Sequence, residues 1–322
     1  MDAVRRRFVA AFAIVRRQYG RLQCATSPWL LLQLVKACVF SVACVGAEIW
    51  GVLPLTGAAA RSRARLASAH VSHLRRVAGL RRSIASDIVL AELGCPPLPD
   101  IWLLGAARLY NSLLASGPFF LGLLQAADGL AAEVRCWLGG LRRALRGLGY
   151  PLPPGGGALL PVSLGAVAAL RRAAAAARWA LAAPCPRTAP RVGARLCTYS
   201  RWFLALSGPG GAVLRLAVPL AVLRDFLRFR TGCHGLPRDV GSRGHGPAYV
   251  PRRSRLRPMC RAGPGDALHL VFECSAVQDL RDSARHLFVG RVSLRDFVWR
   301  PDLAAVALFV HRCLRRTRSF AV

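Results

Sequence analysis

Lysine is nearly absent from this chain: Lys36 is the only one in 322 residues, and 15 acids stand against 46 basic residues. One lysine leaves no Walker loop, whose lysine must reach a phosphate, and no nuclease site built on paired acids and a lysine. No two aspartates are adjacent, so the carboxylate pair with which a polymerase holds two metal ions is missing too. Positions 134–224 contain no Asp or Glu and thirteen arginines. A helix in that stretch has no internal acid–base ladder. A disulfide framework is also lacking. The eleven cysteines are irregularly spaced along an apolar chain, and no cleavable signal peptide opens it. Thiols of this kind suit a reducing compartment, the nucleus or cytoplasm.

What is present in excess is arginine and hydrocarbon. The formal net charge is +31. A biased composition explains the choice of arginine over lysine but not the shortage of acids, so a polyanion, RNA or DNA, is the expected partner. Hydrophobic residues make up 54% of the chain. Segment 28–55, "PWLLLQLVKACVFSVACVGAEIWGVLPL", is long enough to cross a bilayer. Lys36 and Glu48 interrupt it, and each is expensive in lipid. A buried helix followed by a turn at Gly46 or Gly51 is the expected form. An integral membrane protein built on 28–60 and 101–131 is the alternative.

Periodicity and punctuation predict a mainly α fold, one or more helical bundles with a small, degenerate zinc-knuckle-like region near the C-terminus. Asp2 opens a basic amphipathic helix that ends at Gly20, and Pro28 opens the next. Further helices are expected near 62–78, from Ser86 or Asp87 to Gly94, after Pro99, over 166–183, over 194–206 and over 216–230. After Cys274, "AVQDLRDSARHLF", "SLRDFVWR" and "PDLAAVALFVHRCLRRTRS" are helical in pattern. Asp279 and Asp282, with Arg281 and Arg285 beside them, read as a solvated ion-paired face rather than a magnesium site. Gly and Pro crowd "GLGYPLPPGGGALLP" and residues 183–193. The expected organisation is therefore a helical domain at 1–145, a Gly/Pro/Ala-rich linker with one helix at 146–193, and a basic helical domain at 194–322.

The stretch "RLRPMCRAGPGDALHLVFEC" contains Cys260, His269 and Cys274 within fifteen residues. Thiolates and imidazole are the ligands of structural zinc, which takes four. Arg257 stands where a first Cys would complete a Cys-x-x-Cys pair, and a guanidinium donates only. Asp266 is placed to cap a short helix carrying His269 towards Cys274. Two readings stay open: a three-donor zinc site, with Cys233 or His234 as an outside fourth ligand, or buried thiols beside a packed histidine. Arg228, Arg230, Arg252, Arg253, Arg255, Arg257 and Arg261 crowd the same region and are the candidate contacts to nucleic-acid backbone.

The stretch from "FRTGCHGLPRDVG" through "VPRRSRLRPMCRAGPGDALHLVFECSAVQDLRDSARHLF" resembles the C-terminal, zinc-knuckle-like region of non-LTR (LINE-type) retrotransposon polyproteins. Family ligands two, three and four fall on Cys260, His269 and Cys274, and the first falls on Arg257. "LRDFVWRPDLAAVALFVHRCLRR" is similar to the tail after that knuckle. "LLLQLVKACVFSVACVGAEIWG" and "LRRVAGLRRSIASDIVLAELGCPPLPDIWLLGAARLYNSL" resemble the segments just beyond the polymerase palm. The resemblance implies a non-catalytic part of a reverse-transcriptase polyprotein. It implies RNA or DNA as ligand, a polymerase domain acting in trans, and zinc as the one cofactor. A decayed element product without selected function is the second reading it leaves.

Overall fold

Phe8, Phe12 and Tyr19 recur on one side of the first helix, and all three are buried. That stripe, with arginines on the remaining surface, makes the segment amphipathic. A computed structural model of the chain describes residues 2–21, 27–82, 84–130, 136–152, 159–182, 211–234, 236, 259–260, 266–290 and 292–319. Among the described residues the fold is mainly α-helical, with no strand. The helices are α1 (Asp2–Arg21), α2 (Pro28–Leu34), α3 (Ser41–Cys44), α4 (Ala47–Trp50), α5 (Gly57–Val77), α6 (Ser86–Leu93) and α7 (Leu98–Ala115). They continue as α8 (Pro118–Leu130), α9 (Trp137–Gly147), α10 (Leu164–Ala182), α11 (Leu220–Arg230), α12 (Gln278–Ser283), α13 (Leu294–Val298) and α14 (Leu303–Ser319). Two π turns, Val35–Phe40 and His269–Glu273, interrupt the α pattern. The helix expected at 194–206 lies outside the described residues.

The chain divides into two compact units that do not follow its order. One comprises 1–24, 30–73 and 96–181; the other comprises 25–29, 74–95 and 182–322. Segment 74–95 thus groups with the C-terminal part.

In the first unit the apolar segment breaks where glycine lets it. Leu32, Val35, Val39 and Ala43 are buried at three- and four-residue spacing. Gly46 then adopts φ +63° and turns the chain into α4. Trp102, buried in α7, packs edge-on against Trp50 and donates its indole N–H to the Ala43 carbonyl at 3.1 Å. Backbones approach closely here. A Cβ on Gly140 would lie 2.2 Å from the Val52 carbonyl oxygen. A core of Leu103, Ala106, Tyr110, Leu138 and Leu141 follows, closed by Val162 and Val167. Asn111 pins the segment before α10 by exchanging two 2.8 Å bonds with the Val162 backbone.

The second unit is built on α11 and α14. Phe226, Leu227, Val306 and Val310 are fully buried. Asp225 accepts from both arms of Arg318, at 2.6 and 3.0 Å, and lies 2.8 Å from His311 Nδ1. Burial works against its charge, but these partners prevail and hold the carboxyl below its ordinary range. Among the described residues no single helix is long and apolar enough to cross a membrane. Of the described helices, α6 and α7 taken together reach the needed length and hydropathy, and Gly94 to Pro97 break that pair.

Candidate metal centre and basic residues

Cys260, His269 and Cys274 come together: Cys260 Sγ, a ring nitrogen of His269 and Cys274 Sγ all lie within 4.8 Å of one another. The sequence places His269 and Cys274 five apart, which an α-helix would set about 140° apart around its axis. The π turn removes that difference. The Cys274 N–H bonds the His269 carbonyl at 2.8 Å, an i→i+5 closure that brings both side chains to one side. Asp266 caps the turn as its spacing predicts, accepting from the His269 N–H at 2.9 Å. Arg281 braces the far end by donating to the Cys274 carbonyl at 2.7 Å.

The imidazole is oriented for ligation. His269 Nδ1 lies 3.1 Å from a Glu273 carboxylate oxygen, which can only accept. The proton therefore sits on Nδ1, and Nε2 turns its lone pair towards Cys260 Sγ at 3.1 Å. A carboxylate behind a ligating histidine is the usual support of such a site. Donors at Zn–S and Zn–N bond lengths around a tetrahedral ion lie about 3.5–3.8 Å apart, so small shifts suffice to close the three on one ion. His269 and Cys274 are buried and Cys260 is half-buried. The cluster is thus able to chelate a metal ion with three donors. Cys233 and His234 do not join it. They are buried just after α11, where the His234 ring packs beside Phe229.

Of the candidate phosphate contacts, Arg252, Arg253, Arg255, Arg257 and Arg261 lie outside the described residues. Arg228 is half-exposed, with its Nε 3.4 Å from the Gly79 carbonyl and a guanidinium nitrogen 3.9 Å from Asp225. Arg230 stands elsewhere than a phosphate contact must: it is 1% exposed. Its Nε and one terminal nitrogen bond the Glu92 carboxylate at 3.0 Å, and the other donates to the Val298 carbonyl at 2.8 Å. Trp299 lies under the guanidinium at 4.3 Å. A local signal for this exists in the sequence. Leu223, Phe226, Leu227 and Arg230 follow the i, i+3, i+4, i+7 rule, so Arg230 occupies the buried stripe of α11. Arg281, expected on a solvated face beside Asp279 and Asp282, is buried as a brace instead. The two aspartates do form exposed ion pairs, Asp279 with Arg316 and Asp282 with Arg285.

A scan against protein-family models, a search of the curated proteins and a search of the solved structures find no match to this chain.

Proposed function

We propose that the chain is a non-catalytic nucleic-acid-binding module whose 257–274 loop is pinned by zinc, acting as the downstream part of a LINE-type reverse-transcriptase polyprotein. The observation that carries this reading is the gathering of Cys260, His269 and Cys274, in an arginine-rich stretch of sequence and a chain of charge +31. Two thiolates and an imidazole favour zinc over magnesium or calcium, which take oxygen ligands. Cys260, His269 and Cys274 would hold the ion, which supplies a structural crosslink. Glu273 fixes the His269 tautomer, and Asp266 and Arg281 fix the backbone that presents it. The loop arginines then meet phosphate oxygens, and a polymerase domain in trans supplies the chemistry. A membrane-spanning role has less support, since no single described helix meets the length and hydropathy required.

Two measurements test the reading. In anisotropy titrations of the full chain with RNA and DNA oligomers, affinity falls steeply with salt, because neutralised phosphates release counterions. Absence of binding at low salt, or binding indifferent to salt, removes the nucleic-acid reading. Zinc titration against a chromophoric chelator tests the centre. Cys274→Ser abolishes binding, and Glu273→Gln weakens it by about tenfold through loss of the histidine's support. Equal zinc affinity in wild type and both variants removes the metal centre.

A further inference from the structure

The first unit contains a cavity of about 500 Å³ between the turn after α4 and helices α5, α7, α9 and α10. It exists because small residues face it: Ala60 and Ala64 from α5, Gly140 and Ala144 from α9. Its size is that of small-molecule sites. Among the described residues the charged side chains lining it are all arginines, Arg63, Arg143 and Arg171, each from a different helix. Arg171 is balanced, with Asp100 at 2.6 Å. Arg63 is not. One of its terminal nitrogens rests on the Gly51 and Leu53 carbonyls, at 3.1 and 2.8 Å, and no carboxylate of the described residues pairs with it. Burial draws its pKa down, the mark of a cation partly stripped of water. Arg143 is exposed at the rim and has no ion pair among the described residues. Two guanidiniums without a counter-charge thus border a largely hydrocarbon space, an arrangement that favours an anionic head.

The rest of the lining decides what the head is attached to. Among the described residues no Asn, Gln, Ser, Thr, His, Asp or Glu side chain lines the cavity, so of these only guanidinium can read a base edge or a sugar hydroxyl. Trp102 has spent its indole N–H on the Ala43 carbonyl and offers only carbon. Val52, Leu53, Pro54 and Leu103 complete an apolar wall. We propose that this cavity binds an aliphatic anion, a carboxylate or phosphate head on an unbranched hydrocarbon chain. The head lies between Arg63 and Arg143, and the chain lies along the α5 and α9 alanines. The site shares no residue with the metal centre and does not depend on the nucleic-acid reading.

Calorimetric titration of the full chain at physiological salt tests it, with octyl phosphate and octanoate as probes. Octanol, inorganic phosphate and uridine monophosphate serve as comparisons. One-to-one binding of octyl phosphate or octanoate, tighter than each comparison by about tenfold or more, is the expected result. Whichever probe binds better identifies the head. Arg143→Ala, an exposed change that leaves the packing intact, weakens binding about five- to tenfold, the loss of one charge-assisted contact. Arg312→Ala, an exposed arginine of α14, removes the same charge elsewhere and leaves affinity unchanged. Equal binding of octanol would show a hydrophobic hole without anion recognition. Uridine monophosphate binding as tightly as octyl phosphate would remove the aliphatic assignment. Equal weakening by both arginine variants would assign the binding to the diffuse surface charge. Each of these three outcomes overturns the proposal.

Discussion

Arg230 and Glu92 show what a buried charge demands of this chain. Both side chains are almost fully enclosed, at 2% and 1% exposure, where a charge without a partner is costly. The pair is tolerable because its geometry is good: three N–H contacts to one carboxylate, a further donor on Val298, and the Trp299 ring beneath. Removing one partner strands the other. Glu92→Gln should therefore destabilise the fold by about 3–5 kcal/mol. Exchanging both at once, Glu92→Leu with Arg230→Met, should cost far less, because no charge is left behind. Chemical denaturation of the three forms checks this. A double variant as unstable as the single one would mean that packing rather than ion pairing dominates the site. The pair also shows why residue-level reading of the sequence stops short. The apolar stripe of α11 signals that position 230 is inside, but nothing local names Glu92, 138 residues away, as its partner.

At the scale of elements, punctuation is legible in the sequence and irregularity is not. Gly94 ends α6 with φ +59°, Pro99 sits in the first turn of α7, and Asp266 caps the His269 turn, each as its residue type predicts. The π turns have no such signature. They arise where tertiary packing favours an i→i+5 closure, and the His269 turn is the one that makes the candidate centre possible. Glycine inside α9 separates two cases. Gly140 lies where a methyl would meet the Val52 carbonyl oxygen at 2.2 Å, whereas around Gly147 nothing lies within 4 Å. Gly140→Ala should destabilise the protein by about 1–3 kcal/mol through overpacking. Gly147→Ala should stabilise it by about 0.5–1 kcal/mol by restricting the unfolded chain. Thermal melts of the two variants read the opposite signs directly.

Helix α5 adds a pH dependence. His70 is fully buried, its ring edge-on to Phe40 at 4.3 Å. Burial lowers its pKa from 6.5 to about 4, with the Pro96 carbonyl pulling weakly the other way. Between those values the unfolded chain holds the proton and the folded one does not, so stability falls as pH falls through the window. It is fully present above about 6.5, and the loss approaches about 3 kcal/mol near pH 4. The buried carboxyl of Asp225, held below its ordinary range, acts mainly at more acidic pH and overlaps only the acid end of this window. His70→Leu should flatten the stability profile between pH 6.5 and 4. An unchanged slope would place the acid sensitivity elsewhere.

Across the whole molecule the shortage of acids outweighs any single contact. The mainly helical class follows from periodicity, since apolar residues at three- and four-residue spacing need only local pattern to be seen. The grouping of 74–95 with the C-terminal part does not, because it depends on contacts between distant segments. Charge is the property that sequence states outright, and two opposite effects of salt follow from it. Salt screens exposed pairs such as Arg316 with Asp279 and Arg285 with Asp282, but such pairs contribute only about 0–1 kcal/mol each. It also screens the mutual repulsion of a net +31, which opposes the compact state. With 15 acids to form pairs and 46 basic residues to repel, repulsion outweighs attraction. The melting temperature should therefore rise as sodium chloride increases through the range where the Debye length shrinks from about 30 Å to about 8 Å. A soluble polyanion such as heparin should raise it further at low salt, because it binds the folded surface and supplies the missing negative charge. The buried Arg230–Glu92 pair is screened little, so Glu92→Gln should lower the melting temperature by a similar amount at every salt concentration. A melting temperature that falls with salt would mean that paired charges, few as they are, hold the fold together more than the excess drives it apart.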